Sequence, residues 1–345
     1  MFNKYFLYYF FISILTISGA IMSDNDWTRN YTKLFSDNEV QHNKNKKQII
    51  FEKQKTPLFS QLIFSWNAFR PKKGHFSFFV QSRNAKTKQW GKWHLMFDWG
   101  QNIQKSHFSN FQGDDKYMYV RLEVDKKQLA DSFRIKILAN NDAHLDKVKR
   151  FSVSVSNFNE FKHENSFVMN NFSSVHVKKV PKKSQLILKH ERACHMCSPT
   201  ASSIVVDYFS KERHNPLSFA KNSLDHGLNI YGSWPFNVAH AFECCKGKVF
   251  FSVVRLNSFI DIYRQLKKDI PVVVSVRGSL PGALKEYNNG HLLVVVGWDQ
   301  KNKKVICHDP AFKSHRKTVK KYDIKSFLKT WECSHRLAYL PEIAS

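Results

Sequence analysis

The first 193 residues contain no cysteine, and the whole chain of 345 residues is poor in glycine and proline. All six cysteines lie at or beyond position 194, so any disulfide would constrain only the second half of the chain. The 12 Gly and 10 Pro, beside 42% hydrophobic residues, exclude a collagen-like or low-complexity chain. The chain can therefore form hydrophobic cores, and its length is that of about two domains.

Acidic residues are also scarce, with 28 Asp and Glu against 54 Lys and Arg and a formal net charge of +26. Such a charge favours contact with anionic envelope surfaces, including lipid and wall polymers. The basic residues are scattered along the chain, and no nucleic-acid-binding motif is present. We therefore predict a basic solvated surface and no specific nucleic-acid partner.

Long apolar runs are absent except at the start, which reads MFNKYFLYYFFISILTISGA. Lys4 precedes an apolar run over residues 6–17, and residues 18–20 offer the small side chains of a signal-peptidase site. We predict a signal peptide over residues 1–20, the alternative being an uncleaved anchor. No other stretch could span a bilayer. A secreted or periplasmic location follows, in a compartment where disulfides can form.

The remaining chain divides by pattern into four parts. Residues 21–55 are polar without a sustained period and are predicted to be a mobile leader or linker. Residues 56–158 alternate with period two, as in YMYVRLEV and FRIKILA, which predicts antiparallel strands and an all-β sandwich domain. Residues 159–182 are polar and basic and are predicted to be a second linker. In residues 183–345 helices come first and strands follow by short connections, which predicts an α+β domain with an antiparallel sheet.

The sandwich region holds four of the eight tryptophans: Trp66, Trp90, Trp93 and Trp99. Exposed tryptophans on such a domain could stack on sugar rings, whereas buried ones would anchor the core or loops. The sequence leaves both interpretations open.

The first helix of the second domain lies in the segment ERACHMCSPTASSIVVDYF, directly after two cysteines that are three residues apart. Apolar residues at helical spacing predict one buried face over about residues 199–210. Ser198 is predicted to be the N-cap and Pro199 the first helical residue. Cys197 would then lie at the positive end of the helix dipole, which favours its thiolate, while Cys194 lies about a turn earlier.

A cysteine nucleophile needs a base, and the base needs an orienting group. His291 in NGHLLVVVGWD begins an apolar strand, and Asp309 in KVICHDPAF ends the next one. A hairpin between residues 297 and 304 would bring these two side chains together at one end of the strand pair. The backbone amide of Cys197 and the side-chain amide of Gln185 are candidate donors to an oxyanion.

The segments VPKKSQ, CSPTASSIVVDYF, YGSWPFNVAHAFE, DIPVVVSV, GHLLVVVGWD, VICHDPAF and FLKTW follow one another in an order that resembles the peptidase C39-like domain of secreted bacterial proteins. The resemblance covers roughly residues 180–340 and implies a papain-like fold. It also implies that Cys197 is the nucleophile, His291 the base, Asp309 the orienting residue and Gln185 a contributor to the oxyanion hole. The preceding segment FSWNAFRPKKGHFSFFVQSR is similar to a β-sandwich module often found before such domains.

Two departures limit what the resemblance implies. Ser198 follows the candidate nucleophile, where the exporter-fused C39 processing peptidases have glycine, and no transporter is attached here. Their preference for leaders ending in a double glycine is therefore not carried over. The family also has no uniform need for a second cysteine such as Cys194.

We therefore predict a secreted cysteine peptidase-like hydrolase that cleaves a peptide or protein substrate, or a cell-wall peptide, without cofactor or metal. Acyl transfer to another amine is the same chemistry. The alternatives are a catalytically silent envelope- or glycan-binding protein, a CxxC thiol–disulfide oxidoreductase, and a structural zinc site using Cys194, Cys197, Cys244 and Cys245.

Five cysteines remain if Cys197 is free, and an odd number cannot all pair within the chain. Cys194 could bridge to Cys244 or Cys245, or form a resting-state lock with Cys197. A bridge between Cys307 and Cys333 is also open.

Overall fold

The computed structural model describes residues 26–111, 113–125, 127–164, 169 and 171–344. The predicted signal peptide, residues 1–20, lies outside the described residues. Within the described part of the chain, no helix is both long and apolar enough to cross a membrane.

The N-terminal region, residues 26–157, forms two five-stranded antiparallel sheets with one short helix. The strand orders are β1-β10-β3-β8-β7 and β2-β9-β4-β5-β6. The elements are β1 (Thr28–Leu34), α1 (Asp37–Asn43), β2 (Gln48–Lys53), β3 (Gln61–Ala68), β4 (His75–Asn84), β5 (His94–Gly100), β6 (Gln104–Ser106), β7 (Asp115–Met118), β8 (Arg121–Val124), β9 (Ala130–Asn140) and β10 (Val148–Ser156).

Side chains from the two sheets share one core. Trp66 of β3 and Phe78 of β4 belong to different sheets, and their ring centroids lie 4.5 Å apart. Trp66 also contacts Trp99, and both indoles are fully buried. These two tryptophans therefore anchor the core, and a sugar ring cannot stack on them.

The other two tryptophans of this region are only partly buried. The Arg134 guanidinium lies 3.9 Å from the centre of a Trp90 ring, and the Lys136 ammonium lies 4.5 Å from that of Trp93. Cation–π contacts therefore already cover these indoles, which reduces the aromatic surface open to a ligand.

The prediction of a linker over residues 21–55 is wrong for residues 28–53. β1 pairs with β10 and β2 pairs with β9, each along its whole length. Both strands lie at sheet edges and leave one face to solvent, with largely alternating partly buried and exposed positions. Because one face of such an edge strand is exposed to solvent, it carries many polar residues. This polar composition hid the period-two pattern of β1 and β2 in the sequence.

The C-terminal region, residues 171–344, contains five helices and a seven-stranded sheet, with the path β12-β17-β13-β14-β15-β16 and β11 added beside β14. The elements are β11 (Val175–His176), α2 (Cys197–Ser210), α3 (Pro216–Asn222), α4 (Trp234–Cys244), β12 (Val249–Arg255), α5 (Phe259–Leu266), β13 (Val272–Gly278), β14 (Tyr287–Asp299), β15 (Lys304–His308), β16 (Val319–Asp323), α6 (Ile324–Glu332) and β17 (Leu337–Ile343). The sequence did not predict α3, β11 or β16.

Part of the segment predicted as a second linker, residues 171–182, packs onto the C-terminal region instead. β11 pairs with β14, and Val177 and Val180 are buried in the same core as that sheet. The Trp298 indole donates to the carbonyl of Phe172 at 3.0 Å. These few apolar anchors lie among basic residues, so composition alone favoured a linker.

The two regions join through buried polar and apolar contacts. The Asn67 carboxamide makes two hydrogen bonds to the backbone of Phe251. Its Oδ1 accepts from the Phe251 N–H at 2.7 Å, and its Nδ2 donates to the Phe251 carbonyl at 2.8 Å. Arg255 donates to the Gln61 side chain at 2.7 Å. Phe236 of α4 inserts into the N-terminal core beside Trp66. The junction is therefore ordered, and a cleft opens along it.

Candidate active site

The helix that carries the candidate nucleophile begins two residues earlier than predicted. Cys197 is the first residue of α2, and Met196 is its N-cap. Ser198 is not the cap, because its hydroxyl is buried and lies 2.9 Å from the Tyr339 hydroxyl. A 3-10 turn over Ala193–His195 leads the chain into α2, so the helix start needs no side-chain cap. Cys197 still lies at the positive end of the helix.

Gln185 stabilises this turn. Its Nε2 donates to the carbonyls of Ala193 and Cys194, at 3.1 and 2.9 Å, and the residue is buried. Both amide protons are thus engaged, and the oxyanion role of Gln185 stays a prediction. The backbone N–H of Cys197, by contrast, donates to no acceptor in the part of the chain that the structure describes.

The expected hairpin brings the histidine and the aspartate together. β14 and β15 are antiparallel neighbours, with Val294 opposite His308. The His291 Nε2 lies 2.8 Å from the Asp309 Oδ1, and both side chains are buried. The remaining ring nitrogen, Nδ1, is left for the Cys197 thiol, with which the imidazole also interacts.

Asp309 is fully buried and accepts four hydrogen bonds. Besides His291, the backbone N–H of Ala311 donates to Oδ1 at 2.9 Å. The hydroxyls of Tyr287 and Tyr322 donate to Oδ2, at 2.7 and 2.6 Å. Burial alone would raise the pKa of this carboxyl, but the His291 charge and these bonds hold it below its usual value.

Sequence reasoning missed the two tyrosines. Tyr287 stacks on the His291 ring with centroids 4.0 Å apart, so it contacts both partners of the pair. A signal was available, because Tyr287 precedes His291 by four residues on one strand and such positions share a face. Tyr322 lies on β16, which pairs with β15, and that strand was not predicted at all.

The charges of the thiol and the imidazole stabilise one another. Burial alone would lower the pKa of His291. Asp309 and the Cys197 thiol have the larger, opposite effect, and together they raise this pKa from 6.5 to about 9. Burial raises the pKa of Cys197, but the His291 ring and the backbone N–H groups of Leu292 and Ser198 outweigh it, so the thiol pKa is below its usual value. The pair therefore favours thiolate and imidazolium.

Cys197 opens into a cleft of 810 Å³ between the two regions, a size that suits a small-molecule or peptide ligand. The N-terminal region contributes one wall through the turn between β7 and β8, and the C-terminal region contributes the rest. Its wall includes four arginines, which are Arg121, Arg192, Arg255 and Arg277, together with Tyr119, Val120, Glu123 and His335.

None of the six cysteines, all within the described residues, is bridged. The predicted alternatives of Cys194 with Cys244 or Cys245, and of Cys307 with Cys333, are therefore not present. Cys194 and Cys333 are exposed and line the cleft, whereas Cys307 is buried under the sheet. Among the described residues, no group of three or more His, Cys, Asp or Glu side chains is arranged to hold a metal ion.

The C-terminal region, which contains this site, is similar to a known protein family. Residues 177–339 match the model of the Peptidase_C39 like family, which supports a C39-like peptidase domain in the C-terminal region and a cysteine peptidase-like function. The matched segment includes Gln185, Cys197, His291 and Asp309 and leaves out the N-terminal sheets. None of the curated proteins matches the chain.

Proposed function

We propose that the protein is a secreted cysteine peptidase-like hydrolase that cleaves an amide bond with Cys197, His291 and Asp309. The observation that carries this proposal is the continuous contact from the buried Asp309 through His291 to a thiol at the start of α2, facing a cleft. The family match supports the peptidase class.

In this reaction the Cys197 thiolate attacks the carbonyl carbon of the substrate. The carbon–nitrogen bond breaks as His291 transfers its Nδ1 proton to the leaving amine, which leaves a thioester on Cys197. Water, deprotonated by His291, then attacks the thioester and releases the acid and the thiol. Asp309 holds the imidazole in the orientation that presents Nδ1 to the sulfur.

The developing oxyanion requires donors near the Cys197 sulfur. The free backbone N–H of Cys197 at the helix start is the first candidate. Gln185 becomes a second donor only if its amide leaves the carbonyls of Ala193 and Cys194. Because the Gln185 amide is engaged in this way, one competing function is also favoured, namely a catalytically silent binding protein that retains the reactive thiol.

The proposal includes the architecture and the location. We assign the two packed sheets of the N-terminal region to a β-sandwich domain, and the helix α2 against the antiparallel sheet to a papain-like α+β domain. Export through the signal peptide of residues 1–20 is supported by the sequence pattern, and the net charge of +26 suits binding to an anionic envelope surface.

The decisive experiment compares Cys197→Ala with the matched variant Cys194→Ala, using a mixed peptide library and peptidoglycan as substrates. We expect Cys197→Ala to lose activity by about 1,000-fold or more and Cys194→Ala to keep it. Turnover by folded Cys197→Ala would overturn the proposal. Loss in both variants, together with catalytic insulin reduction by the unsubstituted protein, would instead establish the CxxC oxidoreductase.

Labelling with iodoacetamide at about pH 6 distinguishes the enzyme from an inert fold, because a thiol of low pKa reacts there. Peptide mass spectrometry separates Cys197 from the exposed Cys194 and Cys333. We expect His291→Ala to slow labelling of Cys197. Rapid labelling of Cys197 without turnover of any substrate would favour the silent binding protein.

A further inference from the structure

The wall of the cleft is strongly basic. Four arginines line it against one acidic residue, Glu123. Glu123 is also shared, since both Arg121 and Lys116 pair with it, at 2.6 and 3.4 Å. Positive charge therefore remains uncompensated in the space that a substrate of Cys197 would occupy.

Arg255 is the buried member of this group, with 3% of its surface exposed. Its guanidinium donates to the carbonyls of Ser334 and His335 and to the Gln61 side chain, all neutral acceptors. Burial and the neighbouring Arg121 lower its pKa to about 9. Buried arginines are almost always paired with an anion, and within the described residues Arg255 has none.

Arg277 lies at the exposed end of β13, one residue beyond Val276, whose strand partner is His291. Its side chain has no hydrogen bond or ion pair among the described residues. Burial lowers the pKa of His335 to about 4, with further contributions from Arg255, Arg121 and Arg277. The three arginines, which come from β12, β8 and β13, therefore line the same cleft as His335 and all disfavour positive charge on its imidazole.

The turn between β7 and β8 carries a second, independent signal. Met118 pairs with Arg121, so Tyr119 and Val120 form a two-residue turn, with φ of 48° and 60°. Such a turn normally uses Asn-Gly, and positive φ is strained for a β-branched residue such as Val120. The strained turn holds Tyr119, 57% exposed, at the cleft beside Arg121. Strain of this kind concentrates at ligand-binding sites.

We propose that Arg121, Arg255 and Arg277 form a carboxylate-binding subsite, and that the N-terminal region supplies the wall that recognises the substrate. The substrate is then an anionic peptide with a carboxylate close to the scissile amide, and Tyr119 packs against its backbone or an apolar side chain. This inference rests on the proposed function, because it places the subsite in the cleft of Cys197.

Binding to the Cys197→Ala protein tests the subsite without requiring turnover. The peptides are used in matched pairs. One pair compares Asp or Glu with Asn or Gln, and the other compares a free C-terminal carboxylate with a C-terminal amide, so that the effects of side-chain and terminal carboxylates are measured separately. We expect one carboxylate class to bind at least about 10-fold more tightly than its neutral match. We also expect this preference to shrink as salt rises from about 0.05 to 0.5 M.

Arg277→Gln and Arg121→Gln should each reduce that preference several-fold. Arg213→Gln is the matched control, since Arg213 is exposed, lies outside the cleft lining and makes no side-chain hydrogen bond or ion pair with the described residues. Equal affinity for acidic and neutral peptides would overturn the subsite, even if Cys197 proves catalytic. A clear preference without hydrolysis in the Cys197-containing protein would leave the subsite standing and refute the proposed function.

The variant Tyr119→Asn tests the strained turn, and Val120 is kept because its side chain is buried in the N-terminal core. Asn adopts positive φ more readily than Tyr, so we expect the melting temperature to be unchanged or higher. The affinity for the acidic peptide should fall by about 10-fold, because the exposed ring is removed. Unchanged affinity would exclude this turn from substrate recognition.

Discussion

Each of the two regions contains a buried histidine bonded to a buried aspartate. In the C-terminal region His291 bonds Asp309, and in the N-terminal region His94 bonds Asp115, with 2.8 Å between nitrogen and oxygen in both pairs. Each histidine also approaches a potential nucleophile. His94 Nδ1 lies 2.6 Å from the Ser109 hydroxyl, and His291 interacts with the Cys197 thiol.

The surroundings of the two pairs differ. Cys197 starts a helix and faces the cleft, whereas Ser109 lies in an isolated bridge to Tyr117, whose backbone N–H donates to the serine hydroxyl. His94 is fully buried and does not line the cleft. Among the described residues, the N-terminal group lines no part of the cleft, and its serine does not lie at a helix start that could stabilise an anion.

The comparison shows that a histidine–aspartate bond is not by itself evidence of catalysis. In the N-terminal region the same bond satisfies polar groups inside a sheet pair, and in the C-terminal region it supports a thiol at the positive end of a helix. The two histidine–aspartate pairs differ in whether their nucleophile lines the cleft and in whether that nucleophile is a thiol or a hydroxyl. Matched substitutions in the two regions test whether this difference determines catalysis.

Replacing each histidine should give the largest contrast. We expect His291→Ala to reduce kcat/KM by about 10,000-fold or more, because the proton donor for the leaving amine is lost. His94→Ala should instead lower the free energy of unfolding by about 1–3 kcal/mol, since Asp115 loses a buried partner. Kinetic assays and denaturant unfolding of both variants measure this, and a comparable loss of activity in folded His94→Ala would contradict it.

The aspartates should repeat the contrast at a smaller scale. Asp309→Asn should reduce kcat about 100- to 10,000-fold, because an amide presents the wrong group to His291 Nε2 and favours the wrong tautomer. Asp115→Asn should leave kcat unchanged and reduce stability by about 1–3 kcal/mol. If Asp309→Asn retains full activity, Asp309 does not orient the imidazole.

The pH dependence of stability tests the charge of His291. Its pKa is raised from 6.5 to about 9 in the folded protein, so its stabilising contribution is complete below pH 6.5 and is lost as pH rises through 9. We expect the difference in unfolding free energy between the protein and His291→Gln to decline over that interval. A difference that stays flat from pH 6 to 10 would show that the folded state does not favour the imidazolium.

The smallest expected effect is at the tyrosines that support Asp309. Tyr322→Phe removes one of four donors to the carboxylate but leaves the Tyr287 hydroxyl. We expect kcat to fall by about 3- to 10-fold, with KM little changed, and Ser109→Ala should change neither. A pH profile of kcat should also shift, which a purely structural role of Tyr322 would not cause.

The sequence predicted three residues that the structure brings together in the candidate site, and the more strongly patterned helices and strands. Cys197, His291 and Asp309 were identified because a helix start, a strand start and a strand end each carry a local pattern. Tyr322 was missed because it belongs to a short, polar strand, and the turn at Tyr119 because a Tyr-Val pair does not indicate a turn. The edge strand β2 was missed because it too is short and polar, and its exposed positions hide the apolar alternation.

By itself the sequence determined where the strongly patterned helices and strands form and which residue types could perform amide chemistry, because those depend on local periodicity. Only the tertiary structure decided which histidine–aspartate pair lies next to a cysteine that lines a cleft. It also decided that the Gln185 amide bonds the turn before Cys197, and that Arg121 from one region lines the same cleft as Arg255 and Arg277 from the other. Such contacts join residues far apart in the chain. Packing and charge in three dimensions fix them, and no local pattern records that information.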